Sequence, residues 1–177
     1  MYCIAIPSYQ RSKILRDRTL NILKKHKISK SKIYVFVANE EQKIEYKTII
    51  GDSYHIIVGK KGLKNQRNFI QDYFPANSLI VQMDDDLKEI YQLVMKKNSN
   101  KYKQKDMKPI TNLKKFIENA FQYTIQQGYY LWGVYPIDNA YFMSNKTTHD
   151  LRLIVGPFWG YINRHNNRLK NTINEKE

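Results

Sequence analysis

Three consecutive aspartates, Asp84-Asp85-Asp86, end the apolar run Leu79-Ile80-Val81-Gln82-Met83. Like charges at the mouth of a dry strand repel one another where water screens least. A hard divalent cation would relieve that repulsion, because Mg²⁺ and Mn²⁺ favour carboxylate oxygen and leave positions open for phosphate. While extended geometry persists, Asp84 and Asp86 face one way and Asp85 the other. The triplet also has a structural use: Asp86 can cap a following helix, with Glu89 completing a capping box. On these residues alone both readings stand.

Gly62-Leu63-Lys64-Asn65-Gln66-Arg67-Asn68 places a glycine at a helix start, where free N–H groups and nearby cations favour an anion. Arg67 lies one turn beyond Leu63. The structural alternative makes Gly62 a turn residue and Arg67 a solvated helix charge. Asn39-Glu40 reads equally as a helix cap followed by a dipole-compensating acid, and Ser8 as the opening of a turn after Pro7. His149, beside Asp150, and His165 are metal-capable residue types, but scattered histidines are more commonly exposed or satisfied in a core. Several familiar signatures are absent: the G-x-x-x-x-G-K-[ST] phosphate loop, the G-x-G-x-x-G dinucleotide fingerprint, the G-x-S-x-G elbow and the H-E-x-x-H zinc helix.

The elements that must position these residues are legible as a repeating pattern. Tyr2 to Ile6, Ile33 to Ala38, Tyr54 to Val58 and Leu79 to Met83 are short apolar runs rich in β-branched residues, the signature of buried parallel strands. Between them the spacing predicts a helix capped by Ser12 with Leu15, Thr19, Ile22 and Leu23 inward, and a second capped by Asn39. A third starts near Leu63 and buries Ile70 and Phe74 before Pro75. Alternating strands and helices with right-handed crossovers give a Rossmann-like α/β sheet whose ligands bind outside the carboxyl ends of the strands. Those ends are Pro7-Ser8-Tyr9-Gln10-Arg11, Asn39-Glu40, Gly59-Lys60-Lys61-Gly62 and Asp84-Asp85-Asp86, so hydroxyls, carboxylates and cations gather at one edge.

Downstream, Leu87 to Met95 is expected to be helical and residues 96–108 to form a basic, mobile loop. An amphipathic helix after Pro109 carries Ile110, Leu113, Ile117, Phe121 and Ile125 on one face. Tyr129 to Tyr135, Ala140 to Met143, Leu151 to Val155 and Phe158 to Ile162 suggest strands of a mixed sheet, and residues 163–177 a frayed or truncated tail.

At 177 residues the chain suits one domain. Lys and Arg number 30 against 16 Asp and Glu, a net charge of +14 that favours phosphates, nucleic acid or an anionic surface. The 30 comprise 23 Lys and 7 Arg, a bias that an AT-rich coding sequence would also produce. Hydrophobic content of 42% with 13% aromatic residues supports a packed core and excludes global disorder. The single cysteine, Cys3, excludes an intramolecular disulfide and reads as buried filler in a reducing compartment. No run approaches the ~20 apolar residues of a membrane span, and the start lacks a basic leader, so a cytoplasmic protein without membrane partners is expected.

Taken in order, Pro7 to Arg11, Asn39-Glu40, Gly62 to Asn68 and Asp84 to Asp86 resemble the nucleotide-sugar half of glycosyltransferases with the type A (GT-A) fold, over residues 1 to about 90. Within that fold the chain looks most like phage and viral glycosyltransferases associated with thymine or cytosine hydroxylases, which place sugars on hydroxymethylated DNA bases. The resemblance implies a UDP-sugar or related donor, a Mn²⁺ or Mg²⁺ cofactor, and DNA as an acceptor. It implies Pro7, Ser8, Tyr9 and Arg11 around uridine, with Asn39 and Glu40 at the uracil or its ribose. Arg67 and Asn68 would approach ribose and diphosphate from the Gly62 to Asn68 segment, which also contributes Gly62 and Asn65. Asp84 would sit near the ribose and Asp86 on the metal, with Asp85 contributing less.

Residues 1–177 would then form a single domain: a nucleotide-sugar-binding half (1–90), the basic loop (96–108), an acceptor half (109–162) and the tail. Family members usually continue further, to an acidic pair opening a helix that supplies the catalytic base. Here the only acids at that place are Glu175 and Glu177, with Asp138 and Asp150 as upstream substitutes, so the base is unassigned and a truncated chain of reduced activity is expected. Two competitors remain. Gly59-Lys60-Lys61-Gly62 mimics the G-x-x-G loop of a KH-type RNA-binding module, and a nucleotidyltransferase would also use paired aspartates and a metal.

Overall fold

The computed structural model describes residues 1–94, 102–144, 146–150, 154, 156–166 and 170. The four apolar runs form strands β1 (Tyr2–Pro7), β2 (Ile33–Val37), β3 (His55–Val58) and β4 (Leu79–Met83). All pair in parallel. Helices α1 (Ser12–Asp17) and α2 (Thr19–Lys25) link β1 to β2, α3 (Glu40–Ile50) links β2 to β3, and α4 (Leu63–Tyr73) links β3 to β4.

Beyond β4 the chain forms a short antiparallel pair, β5 (Tyr91–Leu93) with β6 (Met107–Pro109), then α5 (Leu113–Gln126), β7 (Leu131–Gly133) and β8 (Phe158–Ile162). The main sheet has the order β3-β2-β1-β4-β8-β7. Strand β8 runs antiparallel to both β4 and β7. A parallel first half with a mixed second half is therefore the observed architecture, compatible with a Rossmann-like α/β fold.

Alternation along β1 divides the core. Tyr2, Ile4 and Ile6 join one cluster with Leu15, Leu23, Tyr46, Leu113, Ile117 and Phe121, so α1, α2, α3 and α5 cover that face. Ala5 points the other way, to Phe36, Ile70, Phe74 and Ile80 under α4. Cys3, half-buried at the edge of this second cluster, has its thiol pushed up by burial. Strand order 3-2-1-4 reverses direction between β1 and β4, and a crevice opens at such a reversal because the crossovers on either side leave to opposite faces.

Several local expectations are corrected. Ser12 does not cap its helix; it is the first helical residue, and its hydroxyl donates to Glu45 Oε1 at 2.5 Å. The single expected helix is broken at Arg18 (φ −111°, ψ −91°) into α1 and α2. Leu87 onward forms no helix: Tyr91–Leu93 instead pairs with Met107–Pro109 inside the segment read as a mobile loop, so Asp86 caps nothing there. Residues 95–101 of these segments lie outside the described residues.

Ile125 is exposed, and the inward face of α5 is Leu113, Ile117, Phe121 and Thr124. Ala140 to Met143 is a turn, with Ala140 buried against Tyr102 and Met107. The strand expected over Leu151 to Val155 falls largely outside the described residues. Asn163 begins no frayed tail: it is fully buried, and its Nδ2 donates to the carbonyls of Gln71 (2.9 Å) and Phe74 (2.7 Å) at the end of α4.

Candidate functional site

The carboxyl ends of β1, β2, β3 and β4 surround a cavity of about 650 Å³ at the β1/β4 reversal, within the usual range for small-molecule sites. Pro7, Ser8, Tyr9 and Arg11 line it from β1, Ala38 from β2, and Lys60, Lys61 and Gly62 from the loop after β3. Leu63 and Gln66 line it from α4, and Asp84, Asp85 and Asp86 from β4.

The aspartate triplet lies just past the end of β4, and its carboxylates are held by two arginines. Asp84 Oδ1 accepts from Arg67 Nη2 on α4 at 3.2 Å. Asp85 is buried; its Oδ2 accepts from the Ser8 hydroxyl at 2.6 Å and its Oδ1 lies 3.4 Å from Arg11 Nη1. Asp86 Oδ2 lies 3.3 Å from the same Arg11 nitrogen. Asp85 and Asp86 therefore share one guanidinium, while Asp84 pairs separately with Arg67. Burial raises the Asp84 carboxyl above the ordinary aspartate value; the Arg67 charge opposes this, while Asp86 and Asp85 add to it. Burial also raises Asp85, against the pull of the Ser8 hydroxyl and Arg11.

Direction in the hydrogen-bond chain behind Asp85 follows from proton counting. Ser8 has one hydroxyl proton and gives it to Asp85, so the 2.7 Å contact between Ser8 Oγ and Tyr46 Oη has Tyr46 as donor. The Tyr46 oxygen in turn accepts the Arg11 backbone N–H at 3.0 Å. Tyr46, fully buried on α3, thus ties together the two ends of the β1 loop. Burial raises its own phenol above the ordinary value.

The loop after β3 is fixed by Gln66. Its Oε1 accepts the Lys60 backbone N–H, and its Nε2 donates to the Val37 carbonyl at 3.2 Å. A Cβ on Gly59 would collide with that Oε1 and with the Phe69 ring, so a side chain there would displace the Gln66 bridge. Gly62 takes φ +90° at the N-cap of α4, and Lys60 and Lys61 before it line the cavity; Lys61 Nζ stands 5.9 Å from the Tyr9 ring centroid.

Of the residues singled out in the sequence, Pro7, Ser8, Tyr9, Arg11, Gly62 and Asp84 to Asp86 line the cavity, with Arg67 behind Asp84. Asn39 and Glu40 do not: Asn39 Oδ1 caps α3 by accepting from Gln42 N–H at 2.9 Å, and Glu40 pairs with Lys43. Asn65 and Asn68 line a smaller neighbouring cavity of about 300 Å³ with Lys60, Lys61, Phe69 and Asp72. Asp138 and Asp150 are exposed and line neither cavity, and Glu175 and Glu177 lie outside the described residues. His149 Nε2 is 2.9 Å from the Tyr123 hydroxyl, and His165 Nε2 is hydrogen-bonded to the Phe74 carbonyl.

Sequence reasoning missed Ala38, Leu63 and Gln66, and the residues that hold the site from behind, Thr19 and Tyr46. None of these carries a local signal, since a threonine or tyrosine on an inward helix face reads as core. Among the described residues no group of three or more His, Cys, Asp or Glu converges as a metal cage, and no helix is long and apolar enough to cross a membrane. Compared with protein-family models and with curated proteins, the sequence matches none.

Proposed function

We propose that the chain binds a nucleoside diphosphate sugar, a UDP-sugar by preference, and belongs to a metal-dependent glycosyltransferase acting on an acceptor hydroxyl. The observation that carries this reading is the cavity at the sheet reversal, lined together by Asp84, Asp85 and Asp86 and by Arg11, Lys60 and Lys61, with a volume suited to a nucleotide. Lys60, Lys61 and the N-terminal N–H groups of α4 offer positive charge to a diphosphate. Tyr9 offers a half-exposed aromatic face to a base.

A diphosphate-borne cation needs no all-protein cage, because Mg²⁺ is commonly held by one or two carboxylates together with phosphate oxygens and water. Side-chain exposure of 43% at Asp86 and 38% at Asp84, against 8% at Asp85, makes the first two the fitting pair for Mn²⁺ or Mg²⁺. When bound, such an ion neutralises charge developing on the leaving diphosphate. Arg11 and Arg67 hold the carboxylates in place, and Asp85 anchors the β1 loop through Ser8.

A polyanionic acceptor such as DNA would meet Lys103, Lys105 and Lys108, all exposed around β6. The KH-type alternative is disfavoured by connectivity: Gly59 to Gly62 joins a strand to a helix, whereas a KH loop joins two helices. Calorimetry with UDP, with and without Mn²⁺, tests the donor reading. Metal-enhanced binding that Asp86→Ala abolishes is expected. No binding in either condition, or binding indifferent to Mn²⁺ and to that substitution, refutes it, and turnover of UTP without turnover of UDP-sugar would favour a nucleotidyltransferase.

A further inference from the structure

We propose that Thr19 is a positioning residue of this site: its hydroxyl sets the backbone of the aspartate turn, and through it the placement of Asp84 and Asp86. The inference rests on the donor reading above and assigns a role to a residue outside the cavity lining.

Thr19 is fully buried at the first position of α2. Its Oγ1 donates to the Asp84 carbonyl at 2.7 Å and accepts the Leu87 backbone N–H at 3.0 Å. In a closed four-residue turn the first carbonyl bonds the fourth N–H directly. Here those two groups, on Asp84 and Leu87, both bond the threonine hydroxyl inserted between them, so the turn is held open around an oxygen supplied by another element.

A hydroxyl on a helix commonly bonds its own preceding turn, as Thr124 does with the Ala120 carbonyl at 2.7 Å. Thr19 instead spends both hydrogen bonds on a segment more than sixty residues away. The helix break at Arg18 accompanies this arrangement, and Arg18 Nη1 reaches toward the Asp86 carbonyl at 3.5 Å. The turn is held elsewhere as well: Asp84 N–H donates to the Pro157 carbonyl at 2.9 Å, and Asp85 is pinned by Ser8. With the backbone fixed at both ends and the middle carboxylate buried, Asp84 and Asp86, each beside one arginine, are the two carboxylates of the turn that remain open to a ligand. Groups that orient the ligating residues from behind commonly account for about 10- to 100-fold in metal affinity.

The test compares Thr19→Val, which keeps the branched shape and loses the hydroxyl, with Thr19→Ser, which keeps the hydroxyl. Thr124→Val serves as a control that removes an equally buried hydroxyl from α5. Each full-length variant is titrated with UDP in the presence and absence of Mn²⁺ and melted in parallel. Expected are a loss of about 10-fold or more in Mn²⁺-dependent UDP affinity for Thr19→Val, with wild-type affinity within about threefold for Thr19→Ser and Thr124→Val.

Wild-type affinity in Thr19→Val overturns the inference, as does a loss in Thr19→Ser equal to that in Thr19→Val, or an equal loss in Thr124→Val. Should Thr19→Val fail to fold, the serine variant still decides, because a weakened serine variant excludes the hydroxyl as the cause. A wild-type chain that binds no UDP overturns the donor reading itself and this inference with it, whereas binding unaffected by Thr19→Val overturns the inference alone.

Discussion

Replacing Tyr46 by phenylalanine removes one oxygen from the fully buried core and leaves the ring in place, so no sizeable cavity complicates the outcome. Two hydrogen bonds go with it: the donation to Ser8 Oγ and the acceptance of the Arg11 backbone N–H. A neutral hydrogen bond contributes about 0.5 to 1.5 kcal/mol net, and an orphaned buried donor costs about 1 to 3 kcal/mol. Arg11 N–H is only part-buried and can recruit water, which places the expected loss at about 2 kcal/mol. In a chain of this length that corresponds to a fall in melting temperature of about 4 to 8 °C.

Ser8→Ala breaks the same chain one link further on. It removes the 2.6 Å hydrogen bond to the buried Asp85 carboxylate, worth about 1.5 to 3 kcal/mol because the acceptor is charged. Since each single change disables a link that the other depends on, the double variant is expected to cost less than the sum by about 0.5 kcal/mol or more. Urea denaturation of the four proteins gives this coupling directly. Additivity within about 0.3 kcal/mol would refute the reasoning, for it would mean that Tyr46 and Ser8 do not act on Asp85 as one relay.

Asn163→Asp puts a carboxylate against the Gln71, Phe74 and Pro75 carbonyls in place of the amide that donates to them. A loss of about 3 kcal/mol or more at neutral pH is expected by urea denaturation, partly restored in acid where the protonated group can donate again; wild-type stability at neutral pH would count against the anchor. Lys27 sits at φ +55° just past α2, with Ile28 N–H bonded to the Leu23 carbonyl, a helix end that favours glycine. Lys27→Gly should raise the melting temperature by about 1 to 4 °C.

Burial pushes the Tyr161 and Tyr2 phenols up to about 12 from the ordinary 10.0. A raised folded value means that stability is fully present below pH 10 and is lost as pH climbs toward 12. At pH 11 each phenol costs about 1.4 kcal/mol, and Tyr161→Phe should remove about that much of the alkaline loss in a pH series of denaturation curves.

What could be seen in the sequence was whatever is settled by near neighbours. The strands announced themselves because a parallel strand buried on both faces is a continuous apolar run, and α4 because Gly62 opens it and Pro75 follows it. The hairpin of β5 and β6 did not, since three-residue strands are too short for any period to register. Asn163 reads as polar tail because the three carbonyls that justify burying it lie about ninety residues earlier. The same distinction runs through the site. The strand ends were placed correctly by topology alone. Asn39 followed its local chemistry as a helix cap, and Thr19 and Tyr46 stayed hidden because their partners are 65 and 38 residues away.

The aspartate triplet was ambiguous for a physical reason: a helix cap and a cation site both call for carboxylates beside a strand end. What separates them is how the backbone is held. A capping aspartate accepts from N–H groups two or three residues ahead, whereas Asp86 Oδ2 faces Arg11 and no helix follows it. The turn is shaped instead by Thr19, Pro157 and Ser8, three groups from three other parts of the chain. Such support matters because burial raises both Asp84 and Asp85, so the folded chain carries unfavourable charge at one point. Arg11 and Arg67 offset part of that cost, and an incoming cation would offset more. On the proposed reading, a site held from behind in this way would use cation binding to relieve charge, with little ordering left to do.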